Sequence, residues 1–164
     1  MGRLTHQKDF STLIRAVSKV LNETGVKLVI VGEGDDRADM EKLIRELGIH
    51  ESCELPGFVG NPYSYLKNTD VFVLSSRWEG LPNALLQALA VGTPVVSTDC
   101  PSGPREILEH GRWGRLVPVE DVDAMASAIV EGVNGQIDSP PRELIEQRYG
   151  LHAIVDQYLR ALKI

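Results

Sequence analysis

Apolar residues recur at helical spacing through Phe10, Leu13, Ile14, Val17, Val20 and Leu21, which predicts a first helix stopped by Asn22 to Gly25. Lys27 to Val31 is then a short, nearly all-apolar run closed by Gly32-Glu33-Gly34, the pattern of a strand buried on both faces. Met40, Leu43, Ile44 and Leu47 return to helical spacing until Gly48. The alternation continues with a strand at Cys53 to Leu55, a helix around Tyr63 to Lys67, a strand at Val71 to Leu74, a helix from Pro82 to about Ala90 and a strand at Pro94 to Ser97. Parallel strands need crossover helices, so this order predicts an open, doubly wound α/β sheet with helices on both faces. After Leu116 the texture becomes helical. Ala124 to Val133 reads as a helix, Ser139-Pro140-Pro141 as a break and Leu151 to Leu162 as a final amphipathic helix, a tail whose role is packing.

A length of 164 residues with 43% apolar content fits one domain with a core of its own, and residues 1–164 are read as such. The 17 basic and 23 acidic residues give a formal charge of -6 with no basic cluster, which argues against nucleic acid as a partner. No apolar run reaches the roughly 18–20 residues that span a bilayer, and the first residues do not form a secretory signal. Cys53 and Cys100 lie in no disulfide or zinc spacing, so a reducing, cytoplasmic setting is expected. His6, His50, His110 and His152 also lack ligand spacing and are assigned to the surface. No metal is implied. Asp121-Val122-Asp123 has the spacing of a metal motif but opens a late helix, where it reads as a cap.

In an open α/β sheet ligands bind beyond the carboxyl ends of the strands. The loops in question are Gly32 to Asp35, Gly57 to Gly60, Ser75 to Asn83 and Thr98 to Arg105. Glycines in three of them let a ligand approach the backbone, and the helix expected after the third offers free N–H groups to an anion. Gly32-Glu33-Gly34 taken alone is as well explained by a tight turn, because Arg37 stands where a dinucleotide fingerprint needs its third glycine. The loop Ser75 to Asn83 is the most informative. It sets the carboxylate of Glu79 just ahead of a helix that opens with Pro82 in its first turn, and it places Asn83 and Gln87 on one face. Trp78 reads as packing, and Cys100 is given no role.

The stretch Glu79-Gly80-Leu81-Pro82-Asn83-Ala84-Leu85-Leu86-Gln87 with its continuation to Val96 resembles the signature of the family 4 retaining glycosyltransferases. The resemblance covers nearly the whole chain. It implies the Rossmann-like C-terminal, donor-binding half of a GT-B fold, and with it transfer of a hexosyl unit from a nucleoside-diphosphate sugar, UDP- or GDP-linked, to a glycan, lipid or small-molecule acceptor. No separate cofactor is implied. Carried over, Glu79 hydrogen-bonds hydroxyls of the donor sugar, and Gly80, Leu81, Pro82 and Asn83 frame the donor. Gln87 falls where the family has a second Glu that holds the ribose. An amide there keeps one acceptor but loses the charge-assisted bonds of a carboxylate. Gly2 to Asp9 resembles the segment whose Arg and Lys grip the diphosphate, which assigns that role to Arg3 and Lys8; fixed cations would stabilise the charge that builds as the diphosphate leaves. Leu55-Pro56-Gly57-Phe58 resembles the loop beside the base, making Gly57 and Phe58 donor-binding residues, and Asp99 to Glu106 resembles the turn after the next strand.

The same resemblance implies a partner that these residues do not encode, an N-terminal acceptor-binding domain facing the donor site across a cleft. The parent enzyme is therefore expected in polysaccharide biosynthesis, with peripheral contact at the inner membrane face, while the isolated domain is expected to bind donor weakly and transfer little. Two other readings compete. One is a non-catalytic nucleotide-binding module whose site has decayed at Gln87. The other is a receiver-like interaction domain, which fares worse because Ser75-Ser76 follows Val71 to Leu74 where an acidic, phosphorylatable strand end would be needed.

Overall fold

The structure, a computed structural model, describes residues 1–162. Lys163 and Ile164, the last two residues of the expected domain, lie outside the described residues. Among the described residues, five strands alternate with helices and a run of three helices follows: α1 (Phe10–Thr24), β1 (Leu28–Val31), α2 (Arg37–Glu46), β2 (Cys53–Gly57), α3 (Tyr63–Lys67), β3 (Phe72–Leu74), α4 (Asn83–Ala90), β4 (Val95–Thr98), α5 (Pro104–Ile107), β5 (Arg115–Val117), α6 (Val122–Val133), α7 (Arg142–Tyr149) and α8 (Leu151–Leu162). All strand pairs are parallel, as the crossover helices require. The α/β class is the one the sequence predicts. The hydrogen bonding, however, falls into two ladders, β1–β2 and β3–β4–β5.

Neighbouring residues of β4 show why helices cover both faces. Side chains alternate along a strand, so Val96 joins the core formed with Ile14, Val17, Met125 and Ile129 of α1 and α6, while Val95 joins the other core with Leu66, Leu85, Leu89 and Ile145. Apolar residues thus fill both sides of the central ladder.

The boundaries follow local chemistry. α1 runs on to Thr24 because its stop is Gly25 alone, which takes the left-handed conformation (φ 64°) and donates its N–H to Leu21 O. Asp121 does cap α6, accepting from Ala124 N at 2.9 Å. Pro82 sits one residue outside α4 rather than in its first turn, with ψ 84° instead of a helical value.

One further expectation is corrected, and two elements are added. Val29 of β1 is 38% exposed, so this strand is not buried on both faces. The region around Leu116 holds α5 and β5, which are too short to carry a visible period. The tail is helical as expected: α8 packs on α7 and leaves Leu151, Val155, Tyr158 and Leu159 exposed. Among the described residues, no helix is long and apolar enough to cross a membrane.

Candidate donor site at the carboxyl edge of the central ladder

The turn before α1 and the loop after β3 are stitched together. Ser75 Oγ donates to Lys8 O (2.7 Å), Arg77 N to Gln7 O (2.8 Å) and Gln7 Nε2 to Trp78 O (2.8 Å). These bonds hold the backbones in register, and between them Lys8 Nζ meets Glu79 Oε1 at 2.6 Å. Ser76 Oγ donates to the same carboxylate oxygen at 2.6 Å. Glu79 N reaches Pro101 O (3.3 Å) in the loop after β4, and Thr98 Oγ1 donates to Ser76 O (2.6 Å). The Glu79 side chain is only 6% exposed and is fixed from three segments.

Asp9 anchors this arrangement. It is buried, adopts the left-handed region (φ 44°) and caps α1, with Oδ2 accepting from Thr12 Oγ1 at 2.7 Å. Its Oδ1 lies 3.2 Å from Arg77 Nη2, and Arg77 also pairs with Glu120. The residue after Lys8 is thus tied to the loop that carries Glu79. Sequence reasoning missed both Asp9 and Arg77. An acid immediately before the helical period of α1 was the available signal for Asp9; nothing in the sequence marks Arg77.

Arg3 is exposed and lines a cleft of about 490 Å³ with Thr5, His6, Gln7, Lys8 and Trp78. Trp78 is about half exposed, its ring 6.0 Å from that of His6 in a tilted arrangement, so it is not core packing.

Leu85 N and Leu86 N both donate to Pro82 O. Pro82 offers no side-chain cap, so the earlier N–H groups, at Asn83 and Ala84, are those a ligand or water would meet at the start of α4. Gly80 and Leu81 stand exposed just ahead of them. Gly103 (φ 87°) is required at its position: a Cβ there would lie 2.6 Å from Pro82 Cδ and 2.7 Å from Gly80 O, so its absence lets the loop after β4 close against Gly80 to Pro82. Asn83 is exposed and Gln87 half-buried one turn along the same face. Cys100, in the adjoining loop, is buried, and burial pushes its thiol pKa up.

The structure brings Arg3, Lys8 and Glu79 to one edge with Gly80 to Asn83. Gly57 and Phe58 lie at the end of β2, on the other ladder. A Cβ on Gly57 would come within 2.5 Å of Glu33 Oε1, and Phe58 is 85% exposed. The loop from Gly32 to Gly34 serves a different purpose from the one its glycines suggest. A Cβ on Gly32 would lie 1.8 Å from Gly2 O, and one on Gly34 2.2 Å from Leu4 O, so these glycines make room for the protein's own backbone. Arg37, at the third-glycine position, binds Glu33, Glu41 and Leu55 O instead. No group of three or more His, Cys, Asp or Glu among the described residues could hold a metal ion.

Comparison with known proteins agrees with this architecture. A lipopolysaccharide core biosynthesis glycosyltransferase, LpsE, from Rhizobium meliloti (strain 1021) is 34% identical over 167 aligned positions, covering 99% of this chain and 48% of its own length. An N-acetylgalactosamine-N,N'-diacetylbacillosaminyl-diphospho-undecaprenol 4-alpha-N-acetylgalactosaminyltransferase from Campylobacter jejuni is 39% identical over 76% of this chain and 34% of its own. The chain thus spans about half or less of the length of these curated relatives. Among solved structures, a point mutant of S. aureus TarM, crystallised with fondaparinux, alpha-GlcNAc-glycerol and UDP, superposes with a TM-score of 0.88 at 25% identity, over 97% of this chain and 34% of that one. The family of group 1 glycosyl transferases matches residues 1–134, and the chain belongs to that family.

Proposed function

We propose that residues 1–164 form the donor-binding half of a retaining, family 4 glycosyltransferase, which holds a nucleoside-diphosphate hexose while a separate N-terminal domain presents the acceptor. The observation that carries this reading is the meeting of Lys8 and Glu79 at the amino end of α4, with Arg3 on the same cleft. One cation and one carboxylate held together match the two ends of such a donor, its diphosphate and its sugar hydroxyls.

Arg3, Lys8 and the N–H groups at the start of α4 would take the phosphate oxygens, the helix end adding its partial positive charge. Both hydrogen bonds to Glu79 fall on Oε1, so Oε2 is the oxygen a sugar hydroxyl would reach. As the bond from anomeric carbon to phosphate breaks, the leaving diphosphate gains charge that Lys8 and Arg3 stabilise. Gly57 and Phe58 would flank the base, and Gln87 would offer one carbonyl acceptor to the ribose. The UDP in the TarM structure supports a uridine diphosphate donor, and the alpha linkage in the Campylobacter enzyme's name supports an α-linked product, which an α-linked donor would give by retention. The name of LpsE, a lipopolysaccharide core biosynthesis glycosyltransferase, supports a place in polysaccharide assembly; we set that work on the cytoplasmic side, in keeping with Cys53 and Cys100 forming no disulfide in the structure. In this reading the domain alone transfers little, because the acceptor half lies elsewhere.

Gln87 favours one alternative, a module that binds nucleotide without supporting transfer. Calorimetric titration of the chain with UDP, GDP, ADP and their sugar conjugates tests the proposal. Binding of one diphosphate and its sugar conjugate is expected; absence of binding by all of them at millimolar concentration would overturn it.

A further inference from the structure

Trp78 and Glu79 are consecutive, and the fold treats them in opposite ways. The Glu79 side chain is withdrawn to 6% exposure against Lys8 and Ser76, while Trp78 stays 48% exposed. A single exposed aromatic residue says little by itself. This one is carried on a backbone held from both sides. Trp78 O accepts from Gln7 Nε2 at 2.8 Å, Arg77 N donates to Gln7 O at 2.8 Å, and Glu79 N donates to Pro101 O at 3.3 Å. A ring on a fixed backbone binds without first giving up the freedom of a loose loop tip.

The ring forms one wall of the cleft that Arg3 lines, whose volume of about 490 Å³ lies in the range of small-molecule sites. The exposed His6 flanks it at 6.0 Å with the planes 49° apart, a tilted pairing and not a flat stack that would cover the indole face. The rest of the lining is polar. The Thr5 side chain makes no capping bond to the turn it precedes, so its hydroxyl is not spent there. Gln7 commits Nε2 to Trp78 O and keeps Oε1 as an acceptor.

One aromatic face ringed by donors and acceptors suits a pyranose. Such a sugar turns a patch of weakly positive C–H groups to the negative face of an aromatic ring and carries hydroxyls around its edge. A lipid tail would find too little apolar wall here, and an isolated phosphate would make no use of the indole.

We propose that this cleft binds a pyranose ring stacked on Trp78, and that this ring is the accepting end of a glycan or glycolipid acceptor. The first part stands on the cleft alone, and the second rests on the donor reading given above. In that reading Arg3 and Lys8 take the donor's diphosphate, Glu79 its sugar, and Gly57 with Phe58 its base, so the indole is left over. A sugar on Trp78 lies beside the donor sugar, one residue along the chain from Glu79. Trp78 is then a specificity-determining residue that favours acceptors ending in a sugar.

The test follows the indole N–H signals of Trp78 and Trp113, the two tryptophans of the chain, by proton–nitrogen correlation NMR. The chain is titrated with the methyl glycosides of glucose, galactose, N-acetylglucosamine and N-acetylgalactosamine, with and without saturating UDP, whose own binding is read by calorimetry. At least one glycoside is expected to shift Trp78 and not Trp113, saturably and to the same extent with UDP bound. Trp78→Ala should weaken that glycoside about tenfold or more, read from the sugar's own proton signals, and Trp78→Phe should weaken it less. An unchanged Trp113 signal reports that each variant is folded. UDP binding with no glycoside shifting Trp78 would overturn the proposal and leave the donor reading intact. Loss of the glycoside shift on adding UDP would place the glycoside in the donor sugar's position, and a Trp78 shift caused by uridine would give the cleft to the base; either would overturn the proposal. Glycoside binding by a chain that takes up no UDP would overturn the acceptor assignment together with the donor reading, with the pyranose site itself standing.

Discussion

Lys8 and Glu79 stand 71 positions apart in sequence, yet Nζ and Oε1 meet at 2.6 Å with both side chains largely withdrawn from water. Neither charge is placed there by its own element alone. Lys8 sits in the turn that Asp9 caps, and Glu79 in a loop held to that turn by Ser75, Arg77 and Gln7. Removing one partner leaves the other short of a charge-assisted bond. Glu79→Ala is expected to lower stability by about 1–2 kcal/mol, at the low end for charged hydrogen bonds because Lys8 can partly rehydrate. Urea unfolding of the two chains measures it; an unchanged midpoint would show that the pair does not form.

Asp9 should matter to the site as well as to α1. Asp9→Ala removes the cap on Thr12 and the anchor for Arg77, at a cost of about 2 kcal/mol. For a chain of this length that corresponds to roughly 4–8 °C in Tm. Because Lys8 is the next residue, nucleotide affinity should fall in the same variant. Asp9→Asn, which keeps a capping oxygen, should restore much of the Tm but not the pairing with Arg77. Scanning calorimetry of both variants separates the two effects.

The buried α-amino group of Met1 predicts a pH dependence. Its pKa is lowered from 8.0 to about 5 by burial first and by Lys8 second. The unfolded chain therefore binds more protons between these values, and stability rises with pH through that window. Going from pH 8 down to pH 5 should cost on the order of 4 kcal/mol at most, at about 1.4 kcal/mol per pH unit, with no further loss from this group below pH 5. Nα-acetylation removes the titrating group, so the acetylated chain should lack this part of the slope. Denaturant midpoints between pH 5 and pH 8 for both forms check it.

Gln87 invites a gain rather than a loss. Gln87→Glu restores a carboxylate one turn from Asn83, and a charge-assisted bond to a ribose hydroxyl is worth more than a neutral one. Donor affinity is expected to rise about five- to tenfold, the equivalent of roughly 1 kcal/mol. A 2′-deoxynucleotide should gain less. Equal gains for both nucleotides would place the new charge away from the ribose.

Much of this fold was legible because long-period patterns are robust. α3 and α8 match their expected ranges, and the remaining long helices agree to within a few residues. α5 and β5 escaped because four and three residues carry no period. The glycines of Gly32 to Gly34 were ambiguous for a physical reason: a missing Cβ admits a ligand or another backbone equally well, and here it admits Gly2 and Leu4. For the proposed site, a carboxylate just ahead of a helix pointed to Glu79 and the family resemblance to Lys8, but no local pattern could show that they touch, or that Arg77 and Asp9 hold them there.

The account rests on Lys8 as a diphosphate contact, and discrimination between uridine 5′-diphosphate and uridine tests that most directly. Calorimetric titration of the chain and of Lys8→Ala with both compounds should show the ratio of affinities falling about tenfold in the variant, with uridine itself little changed, as expected for loss of one charge-assisted bond of about 1.5 kcal/mol. An unchanged ratio, or equal weakening of both compounds, would contradict the placement of the diphosphate on Lys8 and with it the proposed donor site.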